Sequence, residues 1–181
     1  LPEGRMDPGE GTISLVFIRI VAKNGNLEKR YIGRTDEPLC NIGIEQAEKL
    51  KKHNFPKEHI FVSPMKRARQ TAELVFPEFE YAIVEDFRET NFGVFEGKSA
   101  SELLENEEYK MWVESMCMSP IPGGESVTEF KERCISAFRK IIESLPDNAE
   151  ASFVVHGGVI MAILESYAET KGNFYDYHIK N

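Results

Sequence analysis

Four apolar runs in this 181-residue chain each lead into residues that can do chemistry. "TISLVFI" (12–18) runs into Arg19, and "HIFV" (59–62) into Ser63-Pro64 with Arg67 one turn further on. "YAIV" (81–84) is followed by Arg88-Glu89, and "ASFVV" (151–155) by His156-Gly157-Gly158. Two arginines, a carboxyl group and a histidine could therefore converge on one site. The chemistry that wants such a set is phosphoryl transfer. Arginine forks match phosphate oxygens in paired hydrogen bonds, a helix N-terminus adds its positive end, and glycines let the backbone approach. A carboxyl group beside the phosphate can protonate the leaving oxygen if its surroundings raise its pKa. Taken singly, each residue also has an ordinary reading: Arg19 as a strand-end partner of an aspartate, Arg67 with Lys66 and Arg69 as a solvated helix face, Glu89 as one of 30 acids, and His156 as a hydrogen-bonded core histidine.

The elements that must position these residues follow from hydrophobic pattern. The apolar runs are short, rich in β-branched residues and without clean alternation, as expected of strands covered on both faces. Helical spacing predicts a helix over 41–54, with Ile44, Ala47 and Leu50 on one face. A second helix is predicted over 63–76, with Ser63 as N-cap and Pro64 in its first turn. The strongest amphipathic pattern spans 126–145, opened by the Ser126/Glu129 capping box. A last helix is predicted from Gly157 or Gly158 to about residue 170. Alternating strands and helices imply a three-layer αβα sandwich around a mostly parallel sheet, with ligands beyond the carboxyl ends of the strands. Residues 12–181 read as one domain, with 98–125 a helical insertion or lid, and residues 1–11 as a flexible leading segment. The missing starting methionine hints that some of that segment is appended.

Composition narrows the partners. At 41% hydrophobic and 29% charged residues the chain reads as an ordinary globule, and a net charge of −8 disfavours nucleic acid. Three scattered cysteines (Cys40, Cys117, Cys134) make neither a disulfide framework nor a zinc site, and no run is long enough to span a membrane. A reducing cytoplasm is the expected setting.

"SPMKRARQTAEL", "FRETNFGVFEGKS", "PGGES" and "VVHGGVI", in that order, resemble the successive motifs of the histidine phosphatase superfamily, the phosphoglycerate mutase-like family. "LEKRYIGRTDEPL" and "FGVFEGKSASELLENEEYKMW" further resemble its bacterial alpha-ribazole phosphatase-like branch. The resemblance implies that Arg19 and Arg67 hold phosphate, that Glu89 is the proton donor, that His156 is the second phosphate-binding histidine, and that Asn26 lines the pocket. It also implies a further histidine, directly after the first arginine, that accepts the phosphoryl group. Here that position is Ile20, which has no lone pair, so a phosphohistidine cannot form. Val21 stands where the family has glycine, and Ala22 and Lys23 also depart from its pattern. His53, His59 and His178 have no evident route to the site, and Cys40 lacks a base beside it.

The expectation is therefore a phosphate or phosphomonoester binder with impaired or absent hydrolysis. The alternatives are an active phosphomonoesterase using water or an unidentified nucleophile, and a non-catalytic interaction module. One histidine and one carboxyl group among arginines repel cations, so neither metal nor cofactor is implied. A further expectation concerns the end of the sequence, "FYDYHIKN", where the family runs on into another strand.

Overall fold

The structure is a computed structural model that describes residues 11–20, 29–168, 172 and 174–177. Its strands are β1 (Ser14–Arg19), β2 (His59–Val62), β3 (Ala82–Ile83) and β4 (Glu150–Val155). Its α-helices are α1 (Asn41–Leu50), α2 (Lys66–Val75), α3 (Glu107–Glu114), α4 (Val127–Ser144) and α5 (Gly157–Tyr167). Among the described residues the sheet is four-stranded and wholly parallel, in the order β1-β4-β2-β3. The crossovers bury both faces, which explains why the strands read as unbroken apolar runs.

Two cores flank the sheet. Phe130, Cys134, Ala137 and Phe138 of α4 pack with Val159, Ile160 and Ile163 of α5 against Leu15, Phe17, Phe153 and Val155. On the opposite face, Ala68, Ala72 and Val75 of α2 and Leu50 of α1 pack on Val16, Ile18, Ile60, Val62 and Val154. Period-two alternation along β1 thus directs Leu15 and Phe17 to one layer and Val16, Ile18 and Ile20 to the other. A third, smaller core of Phe95, Leu103, Tyr109, Trp112 and Ile121 gathers around α3.

Where sequence and structure agree, the physics is local. Ser126 accepts the Glu129 N–H at the start of α4 and Glu129 returns the bond, completing the capping box. They differ at α2, which begins at Lys66 with Met65 in the N-cap position, so neither Ser63 nor Pro64 opens it. The Ser63 hydroxyl is engaged instead across the sheet, as described below. Helix α1 stops at Leu50, short of residue 54, and buries Gly43 and Ala47, while Ile44 is 36% exposed. Helix α5 ends at Tyr167, before the expected residue 170. The leading residues 1–10 lie outside the described residues.

Candidate functional site

The carboxyl ends of β1 and β4, with Arg67 of α2 beyond β2, border a cavity of about 490 Å³. Arg19, Ile20, Arg67, Glu89, His156, Gly157 and Gly158 all line it, so residues separated by up to 139 positions in sequence meet there. Strand pairing accounts for much of this. Arg19 lies opposite Val155, the Ile20 N–H donates to the Val155 carbonyl (3.0 Å), and His156 follows directly as the N-cap residue of α5. Gly157 and Gly158 then start the helix at the cavity wall. A methyl group at Gly157 would lie 3.2 Å from Arg19 Nε, and one at Gly158 would lie 2.7 Å from Glu89 Oε1 and 3.0 Å from Phe130 Cζ. Side chains of opposite charge thus approach the helix start only because it carries none.

Arg67 is not a solvated helix residue. It is 1% exposed, and its Nη2 and Nη1 donate to the carbonyls of Gly33 and Thr35, both at 2.9 Å. Burial lowers its pKa and that of Arg19, with the nearby Glu89 carboxylate the foremost influence in the opposite direction for each. Two partly desolvated guanidiniums and the start of a helix thus line the cavity together with the Glu89 and Glu125 carboxylates, and guanidinium donors and helix N-termini are groups whose geometry suits a tetrahedral oxyanion. His156, 3% exposed, pairs through Nε2 with Ser63 Oγ at 2.7 Å. The displaced Ser63 of the α2 approach therefore orients the histidine, which no spacing in the sequence announced.

Glu89 belongs to an irregular segment beyond the single helical turn Glu85–Phe87, and Arg133 of α4 secures it. Arg133 Nη1 donates to the carbonyls of Asp86 (2.5 Å) and Arg88 (2.9 Å), and Nη2 to that of Glu89 (3.2 Å). The same guanidinium pairs with both oxygens of Glu125 (2.9 and 2.6 Å), and Glu125 Oε1 accepts the Asn91 N–H at 2.8 Å. Glu125 falls within the "PGGES" motif, but Arg133 lies on the polar face of a helix with nothing to mark it.

Ile20 sits where the resemblance implies a nucleophile. It lines the cavity yet is only 7% exposed, because it packs with Ile18, Leu39, Ile60 and Val62 in the core on the α2 side. Asn26, Val21, Ala22, Lys23 and His178 lie outside the described residues. None of His53, His59 and Cys40 lines the cavity. The apolar wall was not anticipated. Tyr31, Phe92, Trp112, Cys117, Ile121, Phe130 and Met161 form it, and Tyr31 is tied to α3 by a hydroxyl–hydroxyl hydrogen bond with Tyr109 at 2.9 Å. Among the described residues, no group of three His, Cys, Asp or Glu side chains could hold a metal ion, and no helix is long and apolar enough to cross a membrane.

Comparison with known proteins agrees with this architecture. The sequence profile of the Histidine phosphatase superfamily (branch 1) matches residues 15–181. The "Probable phosphoglycerate mutase GpmB" of Yersinia pestis (strain Pestoides F) is 33% identical over 147 residues, covering 78% of this chain and 68% of that protein. TTHB049 from Thermus thermophilus superposes with a TM-score of 0.69 at 35% identity, over 87% of this chain and 86% of that one. The fold is also that of the alpha-ribazole phosphatase from Shigella flexneri, with a TM-score of 0.80 at 24% identity, over 90% and 82% of the two chains.

Proposed function

The chain belongs to the histidine phosphatase superfamily, and from that premise we propose that it binds phosphate or a small phosphomonoester while hydrolysing it poorly or not at all. The observation that carries this reading is the state of Arg67. It is a guanidinium withdrawn from water at the cavity wall, hydrogen-bonded to two backbone carbonyls and influenced through space by nearby carboxylates, Glu89 foremost. Burial still disfavours its charged form, and an anion in the cavity would offset that cost. In this reading Arg19, Arg67 and His156 hold the phosphoryl oxygens with the N–H groups of α5, and Glu89 faces the ester oxygen.

The cavity is larger than a bare phosphate needs, and the wall formed by Tyr31, Phe92, Trp112 and Phe130 supports an organic group on the ester. The alpha-ribazole phosphatase and phosphoglycerate mutase names of the similar proteins fit a phosphomonoester of this kind. Loss of hydrolysis is inferred from Ile20. Removing the nucleophile from a site whose groups act together costs on the order of a millionfold in turnover, because the remaining groups have no covalent path to serve.

The test is p-nitrophenyl phosphate hydrolysis from about pH 4 to 9, comparing the protein with its Ile20→His, Val21→Gly double variant. A silent parent and an active variant are expected. Good turnover by the parent, abolished by Arg67→Ala, would instead establish an active phosphatase with another nucleophile. In parallel, phosphate at about a hundred times its dissociation constant should stabilise the parent by about 2.7 kcal/mol. No thermal shift with phosphate or vanadate would favour a non-catalytic interaction module.

A further inference from the structure

The loop Gly33–Arg34–Thr35 is held from both sides, and the two holders differ in kind. Its carbonyls at Gly33 and Thr35 receive Arg67, each at 2.9 Å. Its N–H groups at the same two residues are taken by a single atom, Glu96 Oε1, at 2.8 and 2.9 Å, and the Thr35 hydroxyl donates to that atom too, at 2.8 Å. Glu96 Oε2 accepts the Phe92 N–H at 3.3 Å. Glu96 does not line the cavity. The loop also packs closely on the segment after Glu89, since a methyl group at Gly33 would meet the Thr90 carbonyl at 1.7 Å.

We propose that Glu96 is a positioning residue for Arg67 and so sets the protein's affinity for phosphate. The inference rests on the reading above that Arg67 contacts the bound anion. A guanidinium carries five N–H donors in one rigid plane. Two of them are aimed at the Gly33 and Thr35 carbonyls, so the orientation of those carbonyls fixes the plane in which the others reach a phosphate. Glu96 restrains that orientation by holding the N–H groups of the Ile32–Gly33 and Arg34–Thr35 peptides, which flank the peptide that carries the Gly33 carbonyl, together with the Thr35 hydroxyl, on one carboxylate oxygen. Without it the flanking peptides are released, the planes that carry the Gly33 and Thr35 carbonyls can turn, and the guanidinium turns with them. A misplacement of about 1 Å is enough to cost on the order of a hundredfold where geometry is exacting.

Titration calorimetry of the full chain with inorganic phosphate tests this, at a temperature where circular dichroism shows every variant folded. Arg67→Met should weaken binding by more than about 30-fold and Glu96→Ala by about 10-fold. Glu96→Gln, which keeps an amide oxygen able to accept the loop donors, should stay within about 3-fold of the parent. Ser152→Ala, which loses a hydrogen bond to the Pro56 carbonyl at a position that does not line the cavity, should lower the melting temperature without weakening phosphate binding. If Glu96→Ala does not fold, Glu96→Asp shortens the reach and should weaken binding about 5-fold. A strong loss in Arg67→Met with undiminished affinity in the folded Glu96 variants overturns the inference alone. Phosphate binding that is absent in the parent, or indifferent to Arg67→Met, overturns the anion-site reading and this inference with it.

Discussion

Strands β1 and β4 are hydrogen-bonded neighbours that end side by side at the cavity, and their ends are built in opposite ways. After Arg19, where β1 ends, the chain continues into Ile20, whose side chain extends the Val16–Ile18 row into the core against α2. After Val155, β4 delivers His156 and two glycines, bringing a hydrogen-bonded polar group and a bare helix start to the same place. One end contributes packing and the other contributes access. The difference teaches that a strand end can keep its backbone ladder and its place in the sheet while it presents an apolar side chain beside the cavity. The Ile20 N–H still donates to Val155, and an apolar side chain at a position that alternation already turns toward the core improves burial.

The comparison breaks most visibly at Ile20. Ile20→Ala should cost about 3 kcal/mol in urea-induced unfolding, because it removes a buried side chain from between Ile18, Leu39 and Val62. An effect below about 1 kcal/mol would mean that the β1 end is loosely packed and that Ile20 is a tolerated remnant.

Gly158→Val probes the opposite construction. Its added carbons would collide with Glu89 Oε1 and the Phe130 ring, for about 2 kcal/mol of overpacking, and phosphate should no longer raise the melting temperature. A variant that still responds to phosphate would show that access at the β4 end does not depend on a bare helix start.

Ser63→Ala sharpens the contrast with the smallest effect. It leaves Nε2 of the buried His156 without its 2.7 Å partner and should cost about 1 to 2 kcal/mol by the same urea measurement. No change would mean that the histidine is oriented by its other surroundings.

The fold was legible in the sequence wherever a local rule decides it. Strand His59–Val62 coincides with its apolar run, and α4 begins where the Ser126/Glu129 capping box directs. Legibility failed at Ser63, which has the composition of an N-cap but lies three residues before α2 begins. A hydroxyl can satisfy a helix end or a distant imidazole, and only the packing of β2 beside β4 decides which. It failed again at Ile44, where helical spacing marks an inward face but that turn of α1 is left partly uncovered. At the site, Arg19, Arg67, Glu89, Ile20 and His156 could be named from strand ends and motif order, and all five line one cavity. The groups that hold them, Ser63, Glu96, Glu125 and Arg133, could not be assigned those tasks.

By itself, then, the sequence determined which side chains reach the carboxyl ends of the strands, that the sheet is parallel, and that isoleucine stands at position 20. These follow from composition, period and adjacency along the chain. The tertiary structure alone decided that Arg67 is buried against two carbonyls, that Ser63 faces His156, and that Glu96 and Arg133 secure the loops behind the site. Those contacts join residues 32 to 93 positions apart, and hydrogen bonds between such distant groups exist only once the crossovers have stacked the layers.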